Sequence, residues 1–113
     1  MPRRPVLAAL LTSFVALSAA APTLAADDEY RLVIEDHKFQ PTEIAVPAGK
    51  KVKLVIENRD TTPEEFDSHA LNREKVIAGK STATIYIGPL KPGRYPFIGE
   101  YHEESAKGVV VAQ

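Results

Sequence analysis

The chain has 113 residues, 14 of them basic and 15 acidic, and carries a formal charge of −1 with no cysteine. The lack of thiols excludes disulfides, zinc ribbons, thiol nucleophiles and any copper–thiolate bond. The near-neutral balance leaves no basic stripe for nucleic acid. In chain order, Arg3 and Arg4 come first, Val6 to Ala21 carries no charge, and Pro22, Thr23 and a small-residue run end at Ala25 and Ala26. This three-part pattern predicts a secretory signal peptide over 1–26 and an exported protein. The apolar run of about 16 residues is short for a helix crossing roughly 30 Å of hydrocarbon, a retained anchor being the alternative. Cleavage after Ala25 or Ala26 leaves one domain over 27–113, about 87 residues long, enough for a single small core.

The rest of the chain has the period of strands. Tyr30, Leu32 and Ile34 alternate with Arg31, Val33 and Glu35; Ile44 and Val46 alternate with Ala45 and Pro47. Val52, Leu54 and Ile56 are flanked by Lys51, Lys53 and Val55, and Thr82, Thr84 and Tyr86 alternate with Ala83, Ile85 and Ile87. Period two with β-branched residues predicts half-buried strands. Pro47 to Lys50, Asn58 to Pro63 and Gly88 to Gly93 hold the turn formers that separate them. Strands are thus expected near 30–36, 43–47, 51–57, 64–68, 81–87, 93–98 and 107–112, an all-β sandwich of about seven strands. Over 69–77 the pattern is open between a short helix and an irregular excursion.

Three segments hold the histidines and most of the clustered acids: Glu35-Asp36-His37-Lys38, Pro63-Glu64-Glu65-Phe66-Asp67-Ser68-His69 and Glu100-Tyr101-His102-Glu103-Glu104. Imidazole and carboxylate together suit copper, iron or zinc; the alternative for each segment is a solvated loop. On strand parity, an inward Phe66 puts Glu64 on its own face and Glu65 on the other. His69 is expected on the surface, and Arg73, Glu74 and Lys75 form a charged face. No hydrolytic constellation is visible: Ser68 beside His69 is adjacency in sequence, not a triad.

Tyr95-Pro96-Phe97-Ile98-Gly99, then His102, then Gly108 before Val109 to Val111, resembles the C-terminal signature of the cupredoxins. In that family an aromatic strand ends in a copper cysteine, followed by a histidine ligand, an axial methionine, a glycine and a last strand. Phe39-Gln40-Pro41 before Ile44, Val46 and Gly49, and the strand ending at Asn58, are similar to the N-terminal half. The resemblance implies a cupredoxin-like Greek-key β-sandwich. It also implies a departure at the site: Gly99 stands at the cysteine position, Ala106 at the methionine position and Glu64 at that of the first histidine, while His102 keeps its place.

The same topology brings His37, Glu64 or Glu65, and His102 to one pole, with Glu100 and Glu103 flanking. Copper as Cu(II), or iron, is the ion implied. The segment from Glu65 to Ser68, Arg73-Glu74-Lys75 and Ile87-Gly88-Pro89-Leu90 further resemble cupredoxin-like proteins of bacterial ferrous-iron uptake, including the EfeO-type cupredoxin domain. This implies a periplasmic metal-binding protein that oxidises iron, or relays electrons or iron, at a membrane iron permease or another periplasmic uptake component. Two alternatives stand beside it, a metal-free adaptor and a copper carrier. One mononuclear centre stores a single electron, so the chain is expected to be a station in a ferroxidase relay rather than an enzyme alone.

Overall fold

The period-two apolar pattern is realised as nine strands in the computed structural model, which describes residues 2, 3, 13 and 28–113. Apart from those three leading positions, the expected signal peptide lies outside the described residues. The strands are β1 (Asp28–Glu35), β2 (Lys38–Gln40), β3 (Glu43–Val46), β4 (Val52–Asn58), β5 (Glu64–Ser68), β6 (Arg73–Ile77), β7 (Thr82–Ile87), β8 (Gly93–Gly99) and β9 (Lys107–Ala112). One turn of 3-10 helix, Glu100–His102, follows β8. None of the helices among the described residues is long and apolar enough to cross a membrane.

All seven expected strands are present. The two additional ones are short or polar, which is why alternation did not reveal them. β2 has only three residues. β6 exposes four of its five residues, Arg73 to Val76, and buries only Ile77. It replaces the helix or excursion left open over 69–77: Ser68 accepts the Leu71 N–H and donates to the Pro96 carbonyl, which turns the chain back so that β6 pairs with β5.

The strands form two mixed sheets, ordered β2-β1-β4-β7 and β3-β9-β8-β5-β6. β1 runs parallel to β4, and β3 parallel to β9. Their inner faces interdigitate. Leu32, Ile34, Leu54 and Ile56 from the first sheet meet Phe66, Phe97 and Val110 from the second, all of them fully buried or nearly so. Val55, expected on the outer side, is also buried; it lies between Arg31 and Thr84 on the neighbouring strands.

Three phenylalanines form a floor under one pole. Phe39 meets Phe97 edge to face at 5.0 Å between centroids, and Phe66 lies 4.9 Å from Phe97. Such pairs add about 0.5–1.5 kcal/mol each beyond the area they bury. Gly108 makes room for this floor, because a Cβ there would stand 2.3 Å from the Phe97 ring. Each phenylalanine is two positions from a residue of the pole above it: His37 from Phe39, Glu64 from Phe66, and Gly99 from Phe97. In β5 and β8 the period that buries the rings therefore also puts Glu64 and Gly99 on the same inner face, while His37 arrives through the turn before β2.

Candidate functional site: a histidine–carboxylate pole

Glu64 opens β5 with its side chain inward, as parity required, and is 1% exposed. A buried carboxylate must find donors. One oxygen, Oε1, accepts the N–H of Glu65 and the N–H of Tyr101, both at 3.0 Å. The other, Oε2, meets His102 Nδ1 at 2.5 Å. The carboxylate thus pins the 3-10 turn after β8 to the start of β5. Among the described residues, no buried side-chain nitrogen or oxygen lacks a partner.

His37 reaches the same place from the other sheet. It is the second central residue of the β1–β2 turn, where Asp36 and His37 have φ of 52° and 56°. Two successive positive φ values match the right-handed twist of a hairpin, and Asp and His tolerate them better than most residues. Asp60 holds the turn, its two carboxylate oxygens accepting the N–H groups of Asp36 at 2.9 Å and His37 at 3.0 Å. Asp60 Oδ2 also lies 3.5 Å from His37 Nδ1. Burial opposes the charge on Asp60, but these backbone donors, with His37 and Lys80 nearby, outweigh it and hold the carboxyl below its usual range. Ser105 donates to the His37 carbonyl at 2.7 Å and so joins the turn to the loop after His102.

The two imidazoles stack, with centroids 3.6 Å apart and planes 15° from parallel. One potential ligand atom each from His37, Glu64 and His102 lies within 4.8 Å of the others. Two imidazoles and one carboxylate suit Cu(II), iron or zinc by donor type. An ion held by Glu64 Oε2 and His102 Nδ1 together would take the place of their direct contact. Oε1 is committed to two backbone donors, which leaves Oε2, bonded only to His102 Nδ1, as the oxygen that could turn to an ion.

Glu65 and Glu100 do not join this group. Glu65 points to the outer face of β5 and lies with Glu74 of β6 and Glu100, one carboxylate oxygen from each within 4.8 Å. Hydrogen bonding to Glu100, partial burial and the charges of Glu100, Glu74 and Asp67 push the Glu65 carboxyl up to about 7. Glu103 and His69 are exposed. Asp60 and Ser105 went unnoticed in sequence. Asp60 sits in a run of turn formers, and its signal was present only as an Asx-rich loop after β4. Ser105 had no local signal.

Comparison with known proteins places this fold in a wider group. The chain is 42% identical over 83 residues to an uncharacterized protein of Rickettsia prowazekii, covering 74% of this chain and 66%, just under two thirds, of that relative's length. Auracyanin A, a blue copper protein of Chloroflexus aurantiacus, superposes with a TM-score of 0.67 at 15% identity, over 78% of this chain and all of that one. The metal-binding domain of the Cu(I)-exporting P-type ATPase CopA of Streptococcus pneumoniae superposes with a TM-score of 0.64 at 16% identity, over 75% of this chain and 84% of that one. At these identities the structural likeness speaks for the fold alone. The family model for the cupredoxin-like domain matches residues 6–112, and the chain belongs to the cupredoxin-like domain family.

Proposed function

We propose that His37, Glu64 and His102 bind a copper or iron ion, and that the chain serves ferrous-iron uptake as an exported, periplasmic cupredoxin-like protein. The observation that supports this is the convergence of two imidazoles from different sheets on one buried carboxylate. With no cysteine in the chain, a blue thiolate–copper centre is excluded. The ion supplies one-electron redox chemistry when bound; the chain supplies the donors, the aromatic floor that limits water below, and an edge open to solvent at His102, whose side chain is 30% exposed. Glu65, Glu74 and Glu100 lie on the outer face behind the Glu64 pole and form an acidic surface on which incoming iron can dock. The iron-uptake role and a membrane permease as partner rest on the family resemblance of the segments around Glu65 and Gly88. Titration with Cu(II) and Fe(II) tests the proposal, with His102→Ala as control. Binding of neither ion below about 10 µM, or equal binding by the variant, defeats it.

A second reading has its own observation. Glu64 and His102 satisfy each other without an ion, as they would in a metal-free adaptor that keeps the scaffold for docking. A copper carrier differs from the first reading only in its recipient. Growth failure restricted to iron limitation separates the iron role from both.

A further inference from the structure

The carboxylate of Glu64 lies where little else can fit. A Cβ added at Gly99 would stand 2.8 Å from Glu64 Cδ, 3.0 Å from Glu64 Oε1 and 2.6 Å from the Cβ of Ala106. Real Cβ atoms do not approach neighbours that closely, and Glu64 cannot swing aside cheaply. Its carboxylate is buried and fixed by Glu65 N–H, Tyr101 N–H and His102 Nδ1. Ala106 is fully buried and fixed through its backbone, its N–H bonded to the His102 carbonyl and its carbonyl to the Gly99 N–H. The backbone of Gly99 is extended, with φ of −91° and ψ of 104°, so no conformational demand calls for glycine there. The demand is for space.

We infer that Gly99 is the specificity-determining residue of the pole: only a residue without a side chain at 99, beside a small one at 106, admits the Glu64 carboxylate. A side chain at 99 and the carboxylate of Glu64 are mutually exclusive. On the proposed metal-binding reading, on which this clause rests, glycine at 99 fixes the third donor as a carboxylate oxygen. An oxygen donor beside two imidazoles favours Cu(II), iron or zinc over the soft ion Cu(I).

A double-mutant cycle on the full, metal-free chain decides the steric clause. Gly99→Ala and Glu64→Ala are made singly and together on an Ala106→Gly parent, which removes the second obstacle, and urea unfolding is measured. Gly99→Ala is expected to lower the folding equilibrium constant by about thirtyfold or more with Glu64 present. With alanine at 64 the loss falls to about threefold or less, a coupling of about tenfold or 1.4 kcal/mol. Equal losses in the two backgrounds overturn the inference. Should Gly99→Ala fail to fold, folding of the Glu64→Ala, Gly99→Ala double variant supports exclusion, and failure of the double variant where Glu64→Ala alone folds overturns it. Competition titrations decide the selectivity clause. Glu64→Ala is expected to weaken Cu(II) about tenfold or more and Cu(I) by under about threefold, and equal losses for both ions overturn that clause. A native chain that binds neither ion overturns the metal reading and the selectivity clause together, while the unfolding cycle still decides the steric one.

Discussion

Glu64→Gln separates the two duties of the buried carboxylate. Glu64 accepts three N–H donors: two from the backbone on Oε1 and His102 Nδ1 on Oε2. An amide has one acceptor oxygen. It can keep Oε1 for Glu65 and Tyr101, but its NH2 then faces His102, which must turn its Nδ1 from donor to acceptor. Hydrogen bonds to a charged acceptor contribute about 1.5–3 kcal/mol and neutral ones about 0.5–1.5, while a neutral amide is easier to bury, so the net loss is about 1 kcal/mol. Glu64→Ala removes every acceptor and leaves the Glu65 and Tyr101 N–H groups and His102 Nδ1 without their partner at a half-buried edge, at about 2–4 kcal/mol. Urea unfolding of the metal-free chain measures both, and calorimetric titration with Cu(II) measures binding. The amide keeps the shape but offers no anionic oxygen, so Cu(II) affinity falls about tenfold or more while most of the stability remains. If Glu64→Ala costs no more than Glu64→Gln, the carboxylate does not hold the 3-10 turn to β5, and the account of the pole fails.

Two further perturbations test the acids around this centre. Asp60→Asn weakens the turn that carries His37 and costs about 1–2 kcal/mol at neutral pH. Because the Asp60 carboxyl is held below its ordinary value of 3.8, its contribution is full above that value and is lost as pH falls through the lower folded one, so the asparagine variant shows a shallower acid limb in urea midpoints. Glu65 has the opposite sign. Its carboxyl is raised from 4.5 to about 7, so the folded state holds a proton that the unfolded state has released, and stability falls as pH rises across that interval. Glu65→Gln removes this decline; unchanged midpoint slopes between the two pH limits would show that Glu65 and Glu100 do not interact.

The fold was readable because its signal is repetitive. Four stretches alternate in period two, turn formers separate most of the seven expected strands, and strand parity put Glu64 under the pole and Glu65 outside it. β6 was not readable, since Arg73 to Val76 are exposed and only its pairing with β5 makes it a strand. The candidate site was legible in its donor types and not in its supports. His37, Glu64 and His102 are residue kinds that bear chemistry. The roles of Asp60 and Ser105 depend on contacts spanning 23 and 68 positions, and a sequence offers no local cue for those. The steric meaning of Gly99 likewise arises only when β5 and the loop to β9 are brought together.

That assembly also determines what an ion would do to stability. His37 belongs to the β1–β2 turn of the four-stranded sheet; Glu64 and His102 belong to the five-stranded one. At the pole the sheets meet through ring stacking and the Ser105–His37 hydrogen bond, both near solvent. An ion held by all three side chains would cross-link the sheets, a role that cysteines are not present to fill. Binding to the folded state alone adds RT ln(1 + [L]/Kd), about 2.7 kcal/mol at a hundredfold excess over Kd. The unfolding midpoint of the full chain should therefore rise with Cu(II) concentration. With His37→Ala the rise should shrink strongly, because losing one of three donors weakens binding and the rise follows Kd. An equal rise in both proteins would place the ion on Glu64 and His102 alone and remove His37 from the site.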